Sequence, residues 1–301
     1  MTYLEAAEFL KSHDNYLLLT HKRPDGDTIG SAVGLCELLR AMGKTAWLLP
    51  SLDATKVFQD YLQGRQAPPD FAPGTVVSVD VASLGLLPAN AAPYQGRIDL
   101  AIDHHPSNEF FAQETCLEAD KAACGEIIWK IADHLGIMNS AIATPLYVAV
   151  ATDTGCFVYG NTTPHTHRVA AALMEQDIPY QALNKRHFRT KSLRRMKLES
   201  LILQNMKLYQ EGTVAVAPLS LAMMAQANAT DDDAEDIAAF LGQIEGVLHS
   251  ATIRELRPGE CKISLRTNPN YLNATATCAR LGGGGHVAAS GCTVCGTVDE
   301  A

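Results

Sequence analysis

Short apolar runs, each followed by Asp or His and then by apolar residues at helical spacing, recur through the first two thirds of the chain. Tyr16 to Leu19 has no polar position and suits a strand buried on both faces. Asp27-Thr28 followed by Ile29, Val33, Cys36 and Leu39 suits an N-cap and the apolar stripe of a helix ending near Met42. The same reading predicts a leading helix over 2–12, strands over 45–49, 75–79 and 99–102, and helices over 122–135, 141–151 and 163–176, with Pro164 in the first turn of the last. Residues 51–73, interrupted by Pro68-Pro69 and Pro73-Gly74, give no ordered pattern. Strands alternating with helices predict an α/β domain with a mainly parallel sheet flanked by helices, and such sheets bind ligands beyond the carboxyl ends of their strands.

The texture changes after residue 184. Leu198, Leu201, Ile202 and Met206 predict a linker helix within 185–211. Beyond it come short strands (214–217, 247–256, 261–266), an Asp231-Asp232-Asp233 start to a helix through Ile237 and Leu241, and a helix over 273–281 that runs into Gly282-Gly283-Gly284-Gly285-His286. The expected organisation is a catalytic domain over 1–184, the linker helix, and a smaller α/β domain over 212–301, with no internal repeat.

A chain of 301 residues with 47% apolar content can bury two cores, and its net charge of −9 argues against a broad basic face for long nucleic acid. No apolar run reaches the roughly 18 residues of a membrane span, and the first ten residues lack a basic leader, so a soluble cytoplasmic protein is expected. Eight scattered cysteines read as reduced thiols; Cys292-Thr293-Val294-Cys295 has metal-ligand spacing but no second pair. Seven of the 24 Lys and Arg residues fall between Lys185 and Lys197, read either as a solvated linker face or as an attractor for a polyanion.

The residues that end the apolar elements are His21, Asp25, Asp27, Asp80, Asp103, His104, His105 and Asp153. Singly, each has a plain explanation as a helix cap or a hydrogen-bonded loop residue. Jointly they place several carboxylates in one pocket, where like charges need compensation, and two divalent cations would supply it. Oxygen-rich coordination with some imidazole suits Mn²⁺ better than a sulfur-preferring metal and leaves Mg²⁺, Fe²⁺ and Co²⁺ open.

His21-x-x-Pro24-Asp25-x-Asp27-x-x-Gly30-Ser31, Asp80, Asp103-His104-His105 and Asp153-Thr154-Gly155 resemble the four motifs of the DHH phosphoesterase superfamily. Ser264-Leu265-Arg266 with Gly283-Gly284-Gly285-His286 resembles its associated substrate-binding domain, and the combination resembles the NrnA-type oligoribonuclease and pAp phosphatase branch. The resemblance implies one cation held by His21, Asp25 and Asp80, and another by Asp27, Asp80, His104 and Asp153. It further implies Asp103 orienting His104, His105 on the scissile phosphate, and Arg266, Gly283, Gly284, Gly285 and His286 on the nucleotide, with the active site in an interdomain cleft. The implied activity is metal-dependent hydrolysis of short oligoribonucleotides to nucleoside monophosphates and of 3′-phosphoadenosine 5′-phosphate (pAp) to AMP, by a monomer or homodimer. The alternatives are a phosphodiesterase of linear or cyclic signalling dinucleotides, a pyrophosphatase or exopolyphosphatase, and a non-catalytic nucleic-acid-binding module built on the basic cluster.

Overall fold

The computed structural model describes residues 1–234 and 237–301, and the side chain of His286 also lies outside the described set. The chain divides into two compact units, Met1–Thr190 and Lys191–Ala301. In the first, α1 (Tyr3–Ser12) and β1 (Tyr16–Leu19) are followed by α2 (Gly26–Ala41), β2 (Ala46–Leu48), α3 (Lys56–Leu62), β3 (Thr75–Val79), β4 (Leu100–Asp103) and β5 (Glu114–Leu117). Four helices then close the unit: α4 (Cys124–Leu135), α5 (Ser140–Asp153), α6 (Pro164–Met174) and α7 (Tyr180–Asn184).

The sheet order is β2-β1-β3-β4-β5, every pair parallel. Every residue of β1, β3 and β4 is buried because both faces are covered, which is why these strands read as unbroken apolar runs. Alternate β1 residues feed different cores: Tyr16 and Leu18 pack with residues of α1, α2, α4 and α5, while Leu17 and Leu19 join Val76, Val81, Leu87, Ala91 and Ile98. The strand order reverses between β1 and β3, the switch point at which open parallel sheets bind ligands. Register brings Leu19 level with Ser78 and Val79 level with Ile102, so the residues that follow leave the sheet at one height.

Helix α2 lies unusually close to α5. Gly26, Gly30 and Gly34, one helical turn apart, face Thr152, Pro145 and Leu146, and a Cβ at Gly30 would stand 2.4 Å from the Pro145 carbonyl oxygen. This contact carries the start of α2 against the end of α5.

The second unit contains α8 (Leu193–Asn205), β6 (Lys207–Tyr209), β7 (Val214–Leu219), α9 (Leu221–Ala227), β8 (His249–Arg257), β9 (Glu260–Thr267), α10 (Ala274–Ala279), β10 (Gly284–His286) and β11 (Ala289–Cys295). Its sheet order is β10-β11-β9-β8-β7-β6, with only β7 and β8 parallel. Leu198 and Ile202 of α8 belong to its core with Ala215, Ala217, Leu219 and Leu241. Of the helix expected within 185–211, the structure forms a π turn at Lys185–Arg189 and then α8, which packs as part of this unit.

Other elements differ from the sequence reading. The segment after Asp231-Asp232-Asp233 is 3-10 helical at Asp231–Ala234 and Ile237–Gln243 instead of one α-helix. Strand β10 takes in residues read as a glycine turn, and α3 and β5 had no sequence expectation. The basic cluster is largely paired: Arg186 with Asp60 (2.9 Å), Lys191 and Arg195 with Glu199 (2.9 and 2.8 Å), and Arg194 with Asp233 (2.9 Å). No helix among the described residues is long and apolar enough to cross a membrane. The cysteines are free thiols, and Cys292 and Cys295 lie in β11.

Candidate metal centre

The loop after β1 delivers His21, and Asp25 caps α2: its Oδ1 accepts from the backbone N–H groups of Asp27 (3.0 Å) and Thr28 (3.2 Å). The cap is therefore Asp25, not Asp27-Thr28, and Asp27 lies buried in the first turn. Asp80 follows β3 with a left-handed φ of 60°, a conformation that costs a non-glycine residue energy and recurs at functional sites. Asp103 ends β4, His104 and His105 follow it, and Asp153 is the last residue of α5, so the fourth motif leaves a helix where the others leave strands.

These side chains converge. Nε2 of His104 lies 3.5 Å from Asp80 Oδ1, 3.6 Å from Asp27 Oδ2 and 3.8 Å from Asp153 Oδ2. Nε2 of His21 lies 3.7 Å from Asp25 Oδ1 and 4.0 Å from Asp80 Oδ2. The two oxygens of Asp80 thus face different histidines, and ligand atoms gather into the groups His21-Asp25-Asp80, Asp27-His104-Asp153 and Asp80-His104-His105.

The surrounding layer explains the poses. Nδ1 of His104 donates to the Lys121 carbonyl (3.1 Å) and Nδ1 of His21 to the Lys22 carbonyl (2.9 Å). Each ring so held aims Nε2 at carboxylate oxygens, the position from which it can ligate a cation; burial disfavours the His21 imidazolium, but the hydrogen bond and charge of Asp25 outweigh this and raise its affinity for a proton. Asp27 is clamped by Ser31 Oγ (2.8 Å) and by the backbone N–H groups of Cys124 (2.7 Å) and Gly125 (3.1 Å), the positive end of α4.

Asp103 does not orient the His104 ring, as the family resemblance implies. Its Oδ1 accepts from His105 Nδ1 (2.8 Å) and from the His104 and His105 backbone N–H groups, and its Oδ2 accepts from Asn108 Nδ2 (2.6 Å). The reason is direction: Asp103 is the last strand residue, and the chain turn folds the His105 ring back over it while His104 points to Lys121. Burial alone would push the Asp103 carboxyl up, but hydrogen bonds from His105 and Asn108 outweigh it and hold it below the usual range. Burial likewise disfavours the His105 imidazolium, yet the hydrogen bond and charge of Asp103 outweigh this and raise its affinity for a proton.

At the centre the balance runs the other way. Burial, followed by the charges of Asp27 and Asp25, pushes Asp153 up to about 8. Burial and then Asp27, Asp25, Asp103 and Asp153 push Asp80 well above its ordinary value, and burial also raises Asp27. Asp80 Oδ1 is buried with no hydrogen-bond partner. An orphaned carboxylate oxygen, crowded acids and imidazole nitrogens turned toward them fit an oxygen-and-imidazole site for divalent cations.

In the second unit Arg266 lies on β9, paired with Ser250 and Ala289, and its guanidinium donates to the Leu265 carbonyl (3.0 Å). Gly284 and Gly285 pair with Gly291 and Ser290. A Cβ at Gly283 would stand 2.2 Å from the Gly291 carbonyl oxygen, so these glycines permit close strand approach whatever else they do. The backbone of His286 ends β10; its side chain lies outside the described set. The sequence reading gave no role to Ser31, which it named only as the end of the first motif, nor to Lys121, the Cys124 and Gly125 amides and Asn108. Of these only Ser31, one helical turn after Asp27, carried a readable signal.

The "DHH family, N-terminal domain" sequence model matches residues 15–150. The "Bifunctional oligoribonuclease and PAP phosphatase NrnA" of Thermus thermophilus is 32% identical over 300 residues, covering 96% of this chain and 87% of the relative. The Bacillus subtilis protein of the same name is 24% identical, covering 96% of this chain and 92% of the relative. The crystal structure of an exopolyphosphatase-related protein from Bacteroides fragilis superposes with a TM-score of 0.89 at 22% identity, over 99% of this chain and 92% of that one, and shows a shared fold. With four motifs brought to one centre and a relative aligned over nearly its whole length, this chain belongs to the DHH phosphoesterase family.

Proposed function

We propose that this protein is a Mn²⁺-dependent phosphoesterase that releases nucleoside monophosphates from very short oligoribonucleotides and converts pAp to AMP. The observation that carries the reading is the convergence of His21, Asp25, Asp27, Asp80, His104 and Asp153 around the orphaned Asp80 oxygen. The names of the Thermus and Bacillus relatives supply the substrate class.

One cation would be held by His21, Asp25 and Asp80 and the other by Asp27, Asp80, His104 and Asp153. When bound, such a pair supplies an activated water and neutralises charge developing on the phosphate. The chain does the rest. Asp103 fixes the Nδ1 proton of His105 and favours the imidazolium, so His105 can donate a hydrogen bond to a phosphate oxygen. Asn108 holds Asp103 from the other side and keeps that pair in register. In the second unit Arg266 offers a bidentate fork, and Gly283, Gly284, Gly285 and His286 complete an anion site. The net charge of −9 agrees with short substrates over long ones.

The test is turnover of a dinucleotide and of pAp by the Mn²⁺-loaded protein, with cyclic di-AMP alongside. Both linear substrates should be hydrolysed, chelation should stop the reaction, and Asp80→Ala should abolish it while far-UV circular dichroism stays unchanged. Intact dinucleotide and pAp, or preferential hydrolysis of cyclic di-AMP, would sink the reading.

A further inference from the structure

Beside the centre lies a second polar pair that the proposed chemistry leaves unused. Glu126, in the first turn of α4, is fully buried, and neither of its carboxylate oxygens has a hydrogen-bond partner. Nε2 of His165, in the first turn of α6, is also buried and unpartnered, 3.8 Å from Glu126 Oε2. A buried acid in that state either keeps its proton or is answered by a positive charge. Charge counting says how much is needed. The aspartates Asp25, Asp27, Asp80 and Asp153 balance two dications, so a carboxylate at Glu126 calls for one more positive charge, which an imidazolium supplies and a third dication would exceed.

The neighbours leave few other candidates. Glu126 and the edge of Trp129 (ring centroids 6.1 Å apart) face His165 from α4, Asp153 is the charged residue ending α5, and His167 on α6 stacks instead on Phe157. The pair also occupies a junction. The two residues before Glu126 donate their N–H groups to Asp27, and Asn161, just ahead of α6, donates to the carbonyls of Asp153 (3.1 Å) and Ala122 (3.1 Å). Asp153 also feels the Glu126 charge.

We propose that the buried Glu126 and the partly exposed His165 form a carboxylate–imidazolium pair that ties α4 to α6 and positions Asp27 and Asp153 for the second cation. This rests on the metal-centre reading and not on the identity of the substrate.

Calorimetric titration of the ion-free full chain with Mn²⁺ tests it. Wild type should bind two equivalents. His165→Gln should weaken the second by about tenfold and spare the first, the scale on which residues behind metal ligands act. His165→Lys should restore it, because charge and not ring shape is required. Should His165→Gln fail to fold, the Glu126→Gln/His165→Gln double variant decides, since it removes the charge together with its partner: it should fold and hold the second ion. Wild-type affinity in His165→Gln, no rescue by His165→Lys, or a double variant that also fails to fold would overturn the pair. So would a third equivalent bound by wild type and lost in His165→Gln, which would make the site a metal site. A wild-type protein that binds no divalent ion would overturn the metal-centre reading and the pair with it.

Discussion

At the scale of single residues the centre is a set of conflicts that one kind of ligand resolves. Asp153 is pushed up to about 8 by burial and its neighbours, and Asp80 is raised well above its ordinary value, so the ion-free protein near neutral pH carries protons where cations belong. For Asp153 the sign follows from a folded value above the unfolded one of 3.8: the proton stabilises the ion-free fold fully below about pH 4, and that contribution is lost as pH rises through about 8. Cation binding must expel the same protons. Mn²⁺ titrations at about pH 7 in buffers of different ionisation enthalpy should therefore show net proton release, and apparent affinity should climb with pH up to about 8 and then flatten. Binding with no proton release would mean that the carboxylates are not crowded as described. The ligands themselves were legible, because Asp and His at the ends of apolar runs have few other shared explanations. Their orientation was not. Which way the His104 ring turns depends on the Lys121 carbonyl, 17 residues further along the chain, and a backbone oxygen leaves no mark in a sequence.

At the scale of elements, the centre exists because α2 and α5 approach closely enough to bring Asp27 and Asp153 to one histidine. At Gly30 a Cβ would meet backbone, the Pro145 oxygen at 2.4 Å and the Ala149 nitrogen at 2.8 Å, which cannot step aside as a side chain can. Gly30→Ala should lower stability by ~1–3 kcal/mol, the range for overpacking, and should weaken divalent-ion binding by spreading the two helices. Thermal melts with and without Mn²⁺ check both effects. Gly96→Ala is the control: nothing lies within 4 Å of the added Cβ, and neither quantity should move. This contact hides in the sequence because the stripe Gly26, Gly30, Gly34 reads as weak helix propensity until its partner is known. Strand β5 was hidden differently: Glu114-Thr115-Cys116-Leu117 is a half-exposed edge strand without the unbroken apolar run that announced β1, β3 and β4. Strand β10 was masked by its glycines, which favour turns in isolation and are needed here for close pairing with β11.

For the whole molecule, charge decides what size of substrate can be held. The basic cluster from Lys185 to Lys197 left two readings open, and pairing settles much of it: Arg186, Lys191, Arg194 and Arg195 answer Asp60, Glu199 and Asp233. Sequence shows how many cations a stretch carries but not which acids fold against it; Glu199 and Asp233 lie on other turns and other segments. With those four engaged and a net charge of −9, the surface offers little to a long phosphate backbone. A ligand held through two or three phosphate contacts should release few counterions. Each neutralised phosphate of a single strand contributes about −0.7 to the slope of log affinity against log salt, so two or three contacts give a slope of roughly −1.4 to −2.1. Inhibition by a non-hydrolysable dinucleotide measured across a salt series should fall in that range, and lengthening the ligand to a twenty-mer should not steepen it. A slope beyond about −4 for the longer ligand would reveal a basic track built from cations other than these four.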